Sequence, residues 1–318
     1  MSAKKFNGVV VEAPASSANV GPGFDVFAIA LEIPKDIVKI SLKGNGIRVF
    51  VEGLDNEKIP NVIDSNTAGV VAKRLVEDYK LASGIEIVIV KGVPVGMGLG
   101  SSAASAAAVA YGLNELFSLN LDKNALVKYA AEGEIASAGK PHADNVSASL
   151  LGGFTLVRSY DPMEVYKFDV PENLGVCIAS PKIFYGQKKT EQFRSVIPKL
   201  IELDKLIHNV GNASALVAAI LTKNLELFGR SLNDAVVEPA RSKLIPGYDS
   251  VKGAALKAGA LGVTISGAGP SMIAFYDSKM VDGRLVGEEM CMAFSSVGYD
   301  ATYICTKVGH GCRIVEYF

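Results

Sequence analysis

The residues best suited to do chemistry lie in one unbroken run, Pro94-Val95-Gly96-Met97-Gly98-Leu99-Gly100-Ser101-Ser102-Ala103-Ala104-Ser105. Three alternating glycines let the backbone come close to a ligand and turn successive N–H groups toward it. Ser101 or Ser102 can cap a helix that starts there, and a helix N-terminus already favours an anion. A triphosphate suits this arrangement. A tight strand-to-helix turn with a serine cap has a similar look, but the paired serines tilt the reading toward phosphate. Neither of two common nucleotide signatures is present. The nearest Walker A candidate, Gly133 to Lys140, is mis-spaced and runs into Pro141 instead of Ser or Thr. Gly96, Gly98 and Gly100 also miss the G-x-G-x-x-G spacing of dinucleotide loops.

Other polar groups gather elsewhere in the chain. Asn19 and Asp25 stand six residues apart in Pro14-Ala15-Ser16-Ser17-Ala18-Asn19-Val20-Gly21-Pro22-Gly23-Phe24-Asp25, a run of turn formers that equally suits a plain Asx-type turn. Glu134 falls on a helical pattern and could reach a metal, although a lone helical Glu is commonly a solvated charge. In Pro141-His142-Ala143-Asp144-Asn145, one helical turn would set His142 beside Asn145. Thr190 and Arg194, four apart, would share a helix face, and Arg241 follows Pro239 in an expected loop. Arginine forks hold carboxylates by two hydrogen bonds, yet most arginines simply make surface ion pairs. Ser266-Gly267-Ala268-Gly269-Pro270-Ser271 is a second glycine loop, either a hairpin turn or a backbone wall facing a ligand.

These groups need elements to hold them. The patterning predicts strands at Val9 to Val11, Ile37 to Leu42, Ile47 to Val51 and Ile85 to Val90, with Gly44-Asn45-Gly46 as a hairpin turn. Glu86 marks one partly wet position in the last of these. Helices are expected over Asn66 to Tyr79, Ser102 to Phe117 and Leu121 to Ala138, then a strand over Phe154 to Val157. The pattern restarts after Tyr160-Asp161-Pro162, which suggests a boundary near residue 165 and domains of 1–165 and 166–318. The second half predicts strands at Leu174 to Ala179, Val263 to Ile265, Met272 to Tyr276, Thr302 to Thr306 and Arg313 to Tyr317. Its helices are expected over Lys188 to Ile207, Ala213 to Leu232, Asp249 to Ala258 and Arg284 to Ser295. Without a regular βαβ rhythm, both halves read as α+β.

Composition narrows the partners. Hydrophobic residues make up 49% and charged residues 20% of the 318, enough for a sizeable core. Lys plus Arg is 32 and Asp plus Glu is 33, a balance that draws neither nucleic acid nor an acidic membrane surface. The alanine-dominated stretch from Ala103 to Leu113 is far shorter than a membrane span. Four cysteines with no C-x-x-C pair, and three histidines, argue against structural zinc and for a cytosolic chain whose thiols act as small apolar fillers.

In their order along the chain, Pro14 to Asp25, Pro94 to Ser105 and Val263 to Ser271 resemble the three motifs of the GHMP kinases. The first, with its Asn-x-Gly-Pro-Gly-Phe-Asp form, and His142 to Gly153 resemble the homoserine-acting branch more than the mevalonate or galactose branches. The resemblance spans nearly the whole chain. It implies ATP-dependent phosphorylation of the homoserine hydroxyl, a step of threonine biosynthesis, by a cytoplasmic homodimer. It also implies a two-domain fold, with an N-terminal domain like ribosomal protein S5 domain 2 and a ferredoxin-like C-terminal domain.

By the same resemblance, residues 94 to 104 wrap the ATP phosphates, Ser102 and Glu134 hold Mg²⁺, and Asn66 and Lys91 lie near the nucleoside. Homoserine would contact Asn19, Asp25, His142, Asn145, Thr190, Arg194 and Arg241, with Asp25 on its amino group and the two arginines on its carboxylate. Two positions depart from the family pattern. Met97 stands where polar or basic residues are frequent. Asn145, counted back from Gly152, stands where sister kinases place an Asp base. A neutral amide cannot remove a proton. Asn145, Ser102 and Glu134 would then act by positioning and charge stabilisation, with the phosphoryl group itself receiving the hydroxyl proton. The rivals are a kinase for another alcohol such as mevalonate or shikimate, a decarboxylating lyase of the same fold, and a sensor that binds without turnover.

Overall fold

The computed structural model describes residues 6–82, 84–183, 185–186 and 189–318, and of residue 138 the backbone alone. The first half supplies strands β1 (Gly8–Ala18), β2 (Phe27–Leu42), β3 (Ile47–Gly53), β4 (Ile85–Lys91), β5 (Phe154–Tyr160) and β6 (Met163–Phe168). The second supplies β7 (Leu174–Pro181), β8 (Gly262–Ile265), β9 (Met272–Asp277), β10 (Ala301–Lys307) and β11 (Arg313–Tyr317). Helices α1 (Thr67–Tyr79), α2 (Ser101–Phe117), α3 (Lys123–Gly133), α4 (Ile135–Ala138) and α5 (Asp144–Leu151) belong to the first half. They are followed by α6 (Lys189–Ser195), α7 (Leu203–Leu221), α8 (Leu225–Arg230), α9 (Val237–Arg241), α10 (Tyr248–Lys257) and α11 (Gly283–Ser296).

The first sheet runs β11-β1-β2-β4-β3, and β5 joins β2 and carries β6. Strict alternation explains its two faces. Ile85, Ile87 and Ile89 of β4 point into the core, while Glu86 turns outward and meets Arg48 at 3.0 Å and Lys43 at 3.5 Å. Alanine makes α2 narrow: every residue from Ala103 to Ala110 is buried, and Gly112 lies directly against Val11 and Ile40 of the sheet. A Cβ on Gly112 would stand 2.6 Å from Ile40, so the helix could not sit this close with a larger residue.

The second sheet runs β10-β7-β9-β8, antiparallel throughout. With helices between β7 and β8 and between β9 and β10, this is the β-α-β-β-α-β arrangement of ferredoxin-like domains. The fold is α+β in both halves.

Several expectations are corrected. Gly44 and Gly46 both take positive φ, but β2 and β3 are not a hairpin, because β4 inserts between them and pairs parallel to β3. The helix expected from Leu121 to Ala138 breaks at Glu134. The helix expected from Lys188 to Ile207 is two, ending at Ser195 and restarting at Leu203 around Pro198; Lys188 lies outside the described residues. The helix expected from Ala213 to Leu232 starts at Leu203 and stops at Leu221, where Asn224 caps α8. A division at residue 165 cuts through β6, which hydrogen-bonds to β5 in the first sheet. The last strand, β11, also returns to that sheet and pairs with β1.

Candidate active site

Four loops converge where the sheets meet. The glycine run joins β4 to α2, and three of its carbonyls are taken by donors from other elements. Gly96 O accepts from Lys189 at 2.9 Å, Gly98 O from Ser266 at 2.8 Å, and Leu99 O from the Ser16 N–H at 3.1 Å. Gly98 must be glycine, because at φ +79 its Cβ would stand 2.1 Å from the Ser266 carbonyl. Val95 N–H donates to Asp55 at 3.1 Å, and the N–H groups from Gly96 to Gly100 are the ones that can serve an anion. The serine cap expected for α2 is absent. Gly100 (φ 65) occupies that position, and Ser101 and Ser102 donate instead to Val93 O at 2.8 Å and Glu134 Oε2 at 2.9 Å. The first turn of α2 therefore has no side chain competing for its N–H groups. Met97 packs against the apolar core.

Asn66 and Lys91 do not turn their side chains to a ligand. Asn66 caps α1, accepting from Ala68 and Gly69 N–H and donating to Pro60 O at 2.8 Å. Lys91 is buried beneath the loop with its ammonium shared among Asp36, the Ser101 carbonyl (2.7 Å) and Ser105 (3.0 Å). Asp36 in turn accepts from Gly92 and Val93 N–H, both at 3.0 Å. This buried pair props up the loop from below.

Glu134 sits at the break between α3 and α4. Its Oε2 accepts from Ser102 and Ser137, while Oε1 is buried with no hydrogen-bond partner. Burial raises its pKa to about 7, with Asp144 adding repulsion. A buried carboxylate oxygen without a partner is costly, and a cation beside it would relieve that cost. Ser102 and Glu134 thus fit a hard divalent ion that takes its remaining oxygens from phosphates and water, as Mg²⁺ does. No cluster of three acidic, His or Cys side chains among the described residues offers a metal cage.

The polar groups around Asp25 come from four elements. The β1–β2 loop places Asn19 and Asp25 both at positive φ, 61° and 58°, and locks them through the Asp25 N–H to Asn19 Oδ1 bond of 3.0 Å. Arg194 of α6 grips the Asp25 carboxylate by both guanidinium nitrogens. His142 precedes α5 instead of sharing a turn with Asn145, and its Nδ1 lies 4.0 Å from Asp25. Its pKa is lowered, chiefly by burial. Arg241 closes α9; it is not in a loop, and Pro239 is tolerated there in the first turn. Its side chain is 3% exposed and donates to Phe193 O at 3.2 Å and Gly267 O at 2.9 Å. Both arginines lie over the Phe24 ring, at 5.1 and 5.2 Å from its centre. Burial pulls Arg241 down to about 10. Thr190, one turn before Arg194, is exposed.

Asn145 joins the glycine loop to β1. Its Oδ1 faces Ser16 Oγ at 3.0 Å, and both press on Gly100, where a Cβ would meet them at 3.0 and 2.2 Å. Asp144, buried beside it, accepts from the Asn145 N–H and is raised to about 6, first by burial and then by Asp25. Reading the sequence gave no role to Ser16, Ser266 or Lys189, whose partners in the loop lie 83 to 168 positions away. Ser266 and Ser16 belong to noted motifs, but nothing local marks Lys189.

The resemblance read in the sequence is matched by the relatives. The model of the GHMP kinases N terminal domain matches residues 66–153, and that of GHMP kinases C terminal matches residues 216–286. Homoserine kinase of Methanococcus maripaludis is 45% identical over 310 residues, 97% of this chain and 98% of its own. The chain belongs to the GHMP kinases. Homoserine kinase of Methanococcus vannielii is 46% identical over the same 97% of this chain and 98% of its own. The crystal structure of homoserine kinase from Cytophaga hutchinsonii superposes with a TM-score of 0.91 at 39% identity, covering 99% of both chains.

Proposed function

We infer that this GHMP kinase transfers the γ-phosphoryl group of ATP to the hydroxyl of L-homoserine, giving O-phospho-L-homoserine for threonine biosynthesis. The observation that carries the reading is the shared contact at Gly100. There the glycine loop touches Ser16 and Asn145, and the Asp25–Arg194 pair opens close by. The full-length relatives named homoserine kinase support the same substrate. Homoserine is a short zwitterion, and Asp25 with Arg194 forms the matching pair of opposite charges. Substrate would replace that internal pair, placing its ammonium on Asp25 and its carboxylate on Arg194 and Arg241. Asn19, His142 and Thr190 would complete the contacts.

Ser16 holds Asn145 Oδ1, which leaves the amide N–H₂ to orient the substrate hydroxyl. Asn145 cannot act as a base. In a loose transition state the hydroxyl oxygen bonds to the γ-phosphorus as the bond to the β-phosphate oxygen breaks, and the hydroxyl proton passes to a phosphoryl oxygen. Residues 94–104 would hold the phosphates through backbone N–H groups. Ser102 and Glu134 would hold Mg²⁺, whose charge offsets that of the β- and γ-phosphates. A sensor without turnover would have little use for the bare Glu134 oxygen.

We read the enzyme as a cytoplasmic homodimer; no helix among the described residues is long and apolar enough to cross a membrane. Release of labelled ADP across homoserine, mevalonate, shikimate and galactose tests the reading. Homoserine should be preferred by orders of magnitude. Equal or greater turnover of another alcohol would reassign the substrate, and binding without ADP release would leave a sensor.

A further inference from the structure

Lys189 is buried, 7% exposed, and its ammonium is held by two backbone carbonyls. One is Gly96 O in the phosphate loop, at 2.9 Å, and the other is Gly269 O in the β8–β9 loop. Both acceptors are neutral, and an ammonium has three N–H donors, so one remains to be placed. A buried charge without a counter-charge is expensive. The glycine loop, Pro94 to Ala104, and the β8–β9 loop, Ser266 to Ser271, contain no titratable side chain. The charged group acting on Lys189 from α9 is Arg241, a like charge. On its own helix, Glu191 is exposed and Arg194 is drawn to Asp25. Phe193 packs its ring 5.8 Å from the ammonium, and Tyr185 packs on Phe193 while donating its hydroxyl to Leu244 O.

We propose that Lys189 is the counter-charge that meets the ATP polyphosphate from the C-terminal side, and that α6 thereby couples the binding of the two substrates. The inference rests on the glycine loop being the nucleotide site. Three contacts make the coupling mechanical. Within seven residues, α6 carries Lys189 on the phosphate loop, the Phe193 carbonyl on Arg241, and Arg194 on Asp25. An anion at Lys189 removes the repulsion from Arg241 and fixes the helix that presents Arg194. Nucleotide should therefore tighten homoserine, and homoserine should tighten nucleotide by the same factor.

Burial, with Arg241 adding to it, pulls the Lys189 ammonium down to about 7. At pH 8 it is then largely neutral, and an arriving polyphosphate raises its pKa and draws in a proton. Glu134, at about 7, would answer the same charge, so Mg²⁺ is kept saturating in the test to hold that carboxylate ionised.

The test uses the full chain, adenylyl imidodiphosphate and homoserine, with titration calorimetry at pH 8 in buffers of different ionisation enthalpy. The native chain should take up close to one proton with the nucleotide and bind homoserine about fivefold or more tightly once it is present. Lys189→Met should bind the triphosphate analogue at least tenfold more weakly and AMP unchanged. It should also lose the proton uptake and the mutual tightening, and melt no lower than native without ligand. Lys189→Arg should keep part of the triphosphate affinity but take up no proton, because guanidinium stays charged. Native-like triphosphate binding and proton uptake in Lys189→Met would overturn the inference. So would a lower melting temperature with triphosphate affinity untouched, and, should that variant not fold, proton uptake in Lys189→Arg. Failure of the native chain to bind the analogue at all would instead overturn the nucleotide reading itself.

Discussion

Lys91 and Lys189 are both buried lysines against the same glycine loop, yet they are furnished differently. Lys91 has a carboxylate, a carbonyl and a hydroxyl for its ammonium, and Asp36 opposes the downward pull of burial on its pKa. Lys189 has two carbonyls, and its electrostatic neighbour is a further cation. The first is a closed unit that holds the loop in shape. The second is open: among the described residues its ammonium meets two neutral carbonyls and the charge of Arg241. Burial alone does not separate a structural lysine from one kept for a ligand; the inventory of its partners does.

Breaking the closed pair should give the largest effect. Lys91→Met leaves Asp36 buried without its cation, and such a loss costs about 3–5 kcal/mol. Urea unfolding should show that drop in the absence of any ligand, where Lys189→Met shows none. Equal destabilisation by both would erase the contrast drawn between them.

The open charges around Asp25 should respond in function instead. A charge-assisted hydrogen bond contributes roughly 1.5–3 kcal/mol, so Arg241→Ala should lower kcat/KM for homoserine about tenfold to a hundredfold. ATP affinity should not fall, because the charge removed is a like charge to Lys189. Homoserine lactone, which lacks the free carboxylate, should be poor with the native enzyme and no worse with Arg241→Ala. A parallel fall for the lactone would make Arg241 a structural residue, holding Phe193 and Gly267 and nothing more.

Glu134 is the anionic counterpart of Lys189 and sharpens the comparison at smaller scale. Its folded pKa, about 7, lies above the ordinary 4.5, so the folded chain holds that proton more tightly than the unfolded one. Without metal, stability should fall as pH rises from about 4.5 to about 7 and level off above. Asp144, at about 6, adds a slope of the same sign. Glu134→Gln should flatten the upper part of that curve and abolish Mg²⁺-dependent turnover. Unfolding midpoints in EDTA from pH 5 to 8 give the first, and a curve as steep as native would refute it. Ser102→Ala, which removes only one neutral ligand, should slow turnover while leaving ADP affinity in EDTA nearly unchanged.

What the sequence disclosed followed the range of the physics involved. The glycine loop, the α1 boundary at Asn66 and the β8–β9 hairpin rest on local backbone preferences and were legible. Gly44 to Gly46 reads as a hairpin because nothing in those residues says that β4, forty positions on, will enter between the strands. The break at Glu134 was hidden because its helical pattern continues across it. Lys189 was missed because its partners lie 93 and 80 residues away. Asn19, Asp25, Arg194 and Arg241 were found through the family resemblance, and their spacing alone would have left them as surface polar residues. Arg241 is held in place by a cap that no motif announces. Asp234 accepts from Val236, Val237 and Glu238 N–H, and Glu238 is held by Tyr248, Lys252 and Thr264.

The return of β11 to β1 has a consequence for the making of the protein. As the chain leaves the ribosome, β1 emerges long before β11, the strand that completes its outer side. Throughout synthesis the catalytic loops can form around an N-terminal sheet whose β1 edge is still bare. The Phe318 carbonyl, which accepts from the Asn7 and Gly8 N–H groups at 2.7 and 3.0 Å, then works as a late clasp. A chain truncated before Arg313 would keep both glycine loops, both arginines and every proposed ligand, but would leave the outer edge of β1 bare to its neighbours. Such a product would be selected against by aggregation before its chemistry was ever tested.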